Sequence, residues 1–166
     1  MKIAVLDVDY RDDHALAACV LLADWADATP TDERTARIES VAPYEPGQFY
    51  KRELPCLLAV LEPVRASLTV AIVDGYVWLG DETKPGLGAH LSAALGGTVP
   101  VIGVAKTRFR DAAPVAEVLR GGSANPLFVS AVDMDLATAA ERVRTMHGPY
   151  RQPTALKRVD QLCRTA

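Results

Sequence analysis

The chain has 166 residues, 49% apolar and 23% charged, with a net charge of −3. That size suits one domain, residues 1–166, and the composition excludes wholesale disorder. The acidic balance supplies no global basic field for nucleic acid, although the arginines and lysine between 142 and 164 form either a local stripe or a solvated face. Cys19, Cys56 and Cys163 are widely spaced in apolar contexts, which speaks against a zinc site or a disulfide framework and for buried free thiols in a reducing cytoplasm. Met1-Lys2 runs straight into a strand-like stretch, so no signal peptide is expected. No apolar run approaches the roughly 20 residues of a membrane helix.

In chain order, residues 2–9 read as a strand with Val5, Asp7 and Asp9 on one face. Residues 14–24 are continuously apolar; their alanines favour helix, but the polar turn at Arg11-Asp12-Asp13 favours the second strand of a hairpin, and strand is the expectation. Residues 34–42 alternate loosely as a third strand. Pro43 to Gly47 must be loop. A helix then starts at Phe49 or Tyr50 and runs to about Glu62, carrying Glu53. A buried strand over 68–73 and a helix over 86–95, stopped by Gly96-Gly97, come next. Val99 to Val104 forms a strand leading to Lys106, Leu127–Ser130 a short strand in a hairpin-like segment, and 135–146 a helix capped by Asp135. An amphipathic helix over 154–164 ends the chain. Three early antiparallel strands followed by β/α alternation predict an α/β protein with a ribonuclease H-like fold, a central mixed sheet flanked by helices.

Three acids stand where apolar runs end or a polar loop begins: Asp7, Glu53 and Asp74. A buried carboxylate is costly unless a cation or hydrogen bonds compensate it. Carboxylates gathered at strand ends are a recurring way to hold Mg²⁺. Asp9 shares a face with Asp7 but reads as a turn residue, and His90 reads as structural. Trp78 either stacks on a base or covers the core.

Several strings carry a resemblance over nearly the whole chain. They are Asp7-Val-Asp-Tyr10, Pro43-Tyr-Glu-Pro-Gly47 through Arg52-Glu-Leu-Pro55, Asp74-Gly75, Gly86-Leu-Gly-Ala-His-Leu91, Ile102-Gly-Val-Ala-Lys106, Pro126-Leu-Phe-Val-Ser130 and Tyr150-Arg-Gln-Pro-Thr154. The sequence resembles the endonuclease V family of deaminated-base repair nucleases. The resemblance implies a Mg²⁺-dependent endonuclease (Mn²⁺ able to substitute) that binds a flipped-out deaminated base, chiefly hypoxanthine, and cuts a phosphodiester on its 3′ side. It implies that Asp7, Glu53 and Asp74 bind the metal, that Lys106 sits near the scissile phosphate, and that Pro43, Tyr44 and Pro46 form the wedge at the lesion. Backbone amides around Gly47 and Gly75 are expected to line the base pocket, since glycine permits close approach. The expected partner is DNA with a deaminated base, with RNA open as a substrate; a monomer in the cytoplasm, bound to no membrane, is expected.

The chain departs from the family pattern in two places. After Asp74-Gly75 the family's Gly and His-Pro-Arg string gives way to Tyr76 through Pro85, and after Val129-Ser130 the family's Gly-His gives way to Ala131-Val132-Asp133. Asp133 is then either a replacement metal ligand or a loop residue. The departures leave open a nucleic-acid-binding homologue with impaired cleavage, or a nuclease of this fold acting on RNA or branched DNA.

Overall fold

The computed structural model describes residues 1–46, 48–82, 84–112 and 114–166, with Phe49 described by its backbone alone. Strands β1 (Ile3–Tyr10), β2 (Ala15–Leu22) and β3 (Asp32–Ile38) form an antiparallel meander. Helix α1 (Phe49–Leu61) and a 3₁₀ turn at Arg65–Ser67 lead to β4 (Val70–Asp74), which pairs parallel to β1. Helix α2 (Leu87–Ala94) crosses to β5 (Val101–Ala105), parallel to β4. Then β6 (Ala116–Val118) and β7 (Leu127–Val132) pair antiparallel, with β7 against β5. Helices α3 (Leu136–Thr145) and α4 (Thr154–Thr165) finish the chain. The sheet order β3-β2-β1-β4-β5-β7-β6 is the ribonuclease H-like layout, extended at the far edge by the β6/β7 hairpin.

Every residue of β2 is buried, which explains its continuous apolar run: β1 and β3 flank it, and both of its faces are covered. Strand β3 starts two residues earlier than expected and stops at Ile38 instead of residue 42. Its length is set by its partner, with Asp32 opposite Leu21 and Ile38 opposite Ala15, so residues 39–42 have no strand to pair with. The three-residue β6 is too short to carry a periodicity of its own.

Alternation along the strands divides the core in two. Ile3, Val5, Val20, Ile72 and Val129 pack against Val143, Leu156 and Val159 of α3 and α4. On the other face Leu6, Cys19, Ala71 and Val73 pack against Leu57, Leu61 and Leu91 of α1 and α2. Leu57 and Leu61 are 1% and 0% exposed. Each fully buried leucine contributes about 1.5–3 kcal/mol, so α1, and Glu53 with it, is held firmly on the sheet. Asp135 caps α3 by accepting from the Thr138 backbone N–H at 3.0 Å. All three cysteines are buried and free. Among the described residues, no helix is long and apolar enough to cross a membrane.

Candidate active site

Because β1, β4 and β5 run parallel, their C-terminal ends share one edge of the sheet. Leu6 is level with Val73, so Asp7 and Asp74 lie side by side one step further on. Alternation puts Asp7 on the face of Ile3 and Val5, and Asp74 on the face of Val70 and Ile72, both towards α4. There α4 contributes Asp160 and Cys163, whose ligand atoms lie within 4.8 Å of one another and of Asp7. Arg11 clamps the end of α4 over this edge, its Nη2 donating to the carbonyls of Cys163 at 3.1 Å and Arg164 at 2.8 Å. Its Nε donates to Asp9 Oδ2 at 2.5 Å. Asp9 is therefore a strand residue tied to Arg11, opposite Leu16, and not a turn residue. Glu53 reaches the same edge from α1, on the opposite layer.

The electrostatics mark this edge apart. Burial first and the Asp74 charge second push the Asp7 carboxyl up to about 7, against the Val8 backbone N–H that donates to it at 2.9 Å. Burial, then Asp7 and Asp74, push Glu53 up to about 8. Glu53 is 6% exposed, and its Oε2 is buried with no hydrogen-bond partner. Asp74 is also raised by burial, opposed by the Lys106 ammonium, which lies 3.8 Å from Asp74 Oδ2. The Cys163 thiol is raised to about 12 by burial and the neighbouring carboxylates Asp7 and Asp160. An uncompensated buried charge costs several kcal/mol, so this gathering is a poor structural solution and a good cation site. Four carboxylates, one of them with an orphaned oxygen, fit a hard, oxygen-seeking cation such as Mg²⁺.

The structure thus brings together the expected trio and Lys106, with one difference. Glu53 and Asp74 couple to Asp7 through space, but the group within 4.8 Å of Asp7 is Asp160 and Cys163. Asp160 was missed by sequence reasoning. Its signal was available: it falls four residues after Leu156 and three before Cys163, so an acid borders the buried stripe of an amphipathic helix.

Lys106 is positioned from a distance. Arg151 Nη2 donates to the Lys106 carbonyl at 2.6 Å and to the Pro126 carbonyl at 2.8 Å. Arg151 is itself held by Arg120, whose guanidinium donates to the carbonyls of Arg144, Met146, Gly148 and Arg151. The glycine of the Ile102-Gly-Val-Ala-Lys106 string has a steric reason: a Cβ at Gly103 would lie 2.5 Å from the Gly75 carbonyl oxygen and 2.8 Å from Ser130 Oγ. Gly103 lets the turn after Asp74 cross closely over β5, and Gly75 makes that turn at φ +138°.

Beside Asp74 opens a cavity of about 320 Å³, lined among others by Tyr44, Tyr50, Gly75, Tyr76 and Leu87. That volume lies near the lower end for small-molecule pockets, roughly 300–1,000 Å³. His90 stacks on Tyr50 at 3.6 Å and supports this wall from α2, in keeping with a structural role. Tyr44, 59% exposed, stands at the cavity's mouth. Pro43 faces a separate polar cavity with Arg11 and Arg52, which Tyr44 also lines, and Pro46 is exposed. Gly47 lies outside the described residues.

Of the two readings of Asp133, the structure supports the loop residue. Strand β7 is antiparallel to β5, with Val132 opposite Val101, whereas Asp74 is opposite Val104. Asp133 therefore sits beyond the other end of β5, more than three rungs away, or upwards of about 10 Å at roughly 3.3 Å per residue. Its carboxylate accepts from Ser92 Oγ at 2.7 Å. Trp78 is half-buried, its indole N–H bonded to the Ala131 carbonyl at 3.2 Å, which favours covering the sheet over stacking on a base.

The chain and its fold have counterparts among known proteins. The family model for endonuclease V matches residues 1–120. Endonuclease V of Nocardia farcinica is 32% identical over 184 residues, covering 99% of this chain and 80% of that protein. Endonuclease V of Streptomyces avermitilis is 35% identical over 189 residues, with the same coverages. The crystal structure of endonuclease V from Streptomyces avermitilis superposes with a TM-score of 0.78 at 32% identity, over 99% of this chain and 80% of the other. Endonuclease V of Ciona intestinalis, in complex with a 24mer DNA containing an inosine, superposes with a TM-score of 0.83 at 20% identity, over 98% and 84%, a likeness of fold.

Proposed function

The chain belongs to the endonuclease V family, and from that footing we propose that it is a metal-dependent endonuclease that cuts DNA on the 3′ side of a deaminated base, chiefly hypoxanthine. The observation that carries this reading is the convergence of Asp7, Glu53 and Asp74, each raised by burial and by neighbouring carboxylates, beside a cavity lined by Tyr44 and Gly75.

In this reading Asp7, Glu53 and Asp74 hold Mg²⁺, with Mn²⁺ able to substitute, and Asp160 joins them from α4. When bound, the metal activates water and neutralises charge developing on the phosphate. Lys106, fixed through its backbone by Arg151, presents its ammonium to a non-bridging phosphate oxygen. The flipped base enters the cavity, where the φ +138° turn at Gly75 brings backbone close to it. Tyr44 fills the gap left in the stack, and Pro43 and Pro46 stiffen its loop. Extruding a base costs a few kcal/mol, and a stacked aromatic offsets part of that. Residues 1–166 act as a single catalytic domain, a cytoplasmic monomer with nucleic acid as its partner.

The test is cleavage of a labelled oligonucleotide carrying one deoxyinosine, in Mg²⁺, Mn²⁺ or EDTA, beside its undamaged twin. Metal-dependent cutting at a fixed place 3′ of the lesion is the expected result. A folded protein that cuts in neither metal would instead point to a binding role or to RNA or branched DNA as substrate.

A further inference from the structure

Cys19 and Cys56 belong to the core that faces α1 and α2, whereas Cys163 sits on α4 at the acidic edge. Asp160 and Cys163 are three residues apart, so they share one face of that helix. One ligand atom each of Asp7, Asp160 and Cys163 lies within 4.8 Å of the others. The thiol donates to the Asp160 carbonyl at 3.2 Å, and Arg11 Nη2 holds the Cys163 carbonyl at 3.1 Å, which fixes the residue over β1. Arg164 Nε donates to Asp160 Oδ1 at 2.9 Å, and the Val8 N–H donates to Asp7 Oδ1 at 2.9 Å. A carboxylate has two oxygens, so both acids can still offer one to a cation. Across the edge stands Glu53, 6% exposed, its buried Oε2 without a partner and its charge coupled to that of Asp7. That orphaned oxygen is an independent sign that a cation belongs here.

A sulfur among the oxygens changes which cation the group prefers. Mg²⁺ takes oxygen ligands and leaves thiols aside. Zn²⁺ and softer divalent ions such as Cd²⁺ take carboxylate oxygen and thiolate sulfur together. Cysteine spacing speaks against a zinc site built from cysteines, and this group uses a single thiol that the fold carries to two acids. At 1% exposure the thiol is out of reach of a bulk oxidant, so a ligand role suits it better than a redox one.

We propose that Asp7, Asp160 and Cys163 bind a thiophilic divalent cation of the Zn²⁺ or Cd²⁺ class, in competition with the Mg²⁺ of the proposed function, on which this inference rests. On binding, the thiol proton leaves to solvent and the sulfur joins the metal as thiolate. Two of the acids that Mg²⁺ needs are then occupied, so a softer ion blocks the centre. Cys163 is the residue that sets this metal selectivity.

Metal binding, read by absorption and not by turnover, tests it. Cd²⁺ is titrated into the metal-free full chain for wild type, Cys163→Ser, Cys163→Ala and Cys56→Ser, each verified as folded by its melting curve. Wild type and Cys56→Ser should develop the ultraviolet sulfur-to-metal charge-transfer band of a Cd²⁺ thiolate, and saturating Mg²⁺ should move the midpoint of that titration to higher Cd²⁺. Both Cys163 variants should lack the band. Their ratio of Cd²⁺ to Mg²⁺ affinity, from thermal-shift titrations, should fall about a hundredfold, at least the upper end of what groups around a metal's ligands are worth. No band in wild type, a band kept by the Cys163 variants or lost with Cys56, an unchanged affinity ratio, or a midpoint that Mg²⁺ does not move overturns the inference. The proposed function fails separately: deoxyinosine left uncut in Mg²⁺ by a wild type that shows the band contradicts the nuclease reading and leaves the thiol site standing.

Discussion

Asp74 and Asp133 both stand where apolar strands of the same sheet end, yet they lie at opposite edges and in different surroundings. Asp133 stands past the far end of β7 with its carboxylate bonded to the Ser92 hydroxyl at 2.7 Å. Asp74 is raised by burial beside Asp7, with only Lys106, at 3.8 Å, in opposition. The contrast shows that an acid at a strand end means little alone. What marks a site is several such acids on one edge, left electrostatically unsatisfied by the protein itself.

That comparison breaks first if the unsatisfied acids are dispensable. Asp7→Asn and Glu53→Gln should each lower deoxyinosine cleavage by about 10²–10³-fold or more, on the scale of removing a group that supports transition-state charge. Glu53→Gln should also raise the melting temperature of the metal-free protein at pH 8 by a few degrees, because a buried, repelled charge is gone. The same variant should lose the stabilisation that saturating Mg²⁺ or Mn²⁺ gives the wild type in a thermal-shift titration. A Glu53→Gln protein less stable than wild type would show that the carboxylate is structural.

Asp160→Asn should cost about 10²-fold in activity, as one of the carboxylates that hold the metal and support transition-state charge is lost. Arg151→Ala should lower kcat about tenfold with little change in substrate affinity, since Arg151 touches the backbone of Lys106 and not the substrate. Arg151→Lys should restore part of that loss. In a Lys106→Ala background the Arg151 substitution should add little, as expected of two residues acting through one contact.

The pH dependence sharpens the same point more gently. Asp7 and Glu53 titrate near 7 and 8 in the folded chain, above their ordinary values of 3.8 and 4.5. The folded state therefore binds more protons than the unfolded one between roughly pH 4 and pH 8, so metal-free stability should fall as pH rises through that window. Metal binding requires the ionised carboxylates, so Mg²⁺ stabilisation should grow over the same range. Melting curves from pH 5 to pH 8, with and without Mg²⁺, check both slopes; Asp7→Asn should flatten the metal-free one.

Much of this was legible in the sequence because apolar runs and breakers mark buried strands directly. The run Lys2–Leu6 ending at Asp7 and the run Val70–Val73 ending at Asp74 are examples. Direction within the sheet was not legible: nothing local in Leu127–Val132 says that it runs antiparallel to β5, and that direction removes Asp133 from the site. The end of β3 was set by the length of β2, which is tertiary information. The spacing that puts Asp160 beside the buried stripe of α4 was legible, but an acid there reads as solvated until the packing of α4 on β1 places it beside Asp7. Arg151 acts on Lys106 across 45 positions of sequence, a contact that no spacing rule reports.

The most direct measurement sets the two edges against each other: single-turnover cleavage of one deoxyinosine oligonucleotide in Mg²⁺ by Asp74→Asn and Asp133→Asn, both verified as folded. Asp74→Asn should lose at least about a hundredfold in rate, while Asp133→Asn should stay within about twofold and lose no more than about 1 kcal/mol of stability from the weakened bond to Ser92. Cleavage that survives Asp74→Asn and collapses in Asp133→Asn would put the chemistry at the other end of the sheet.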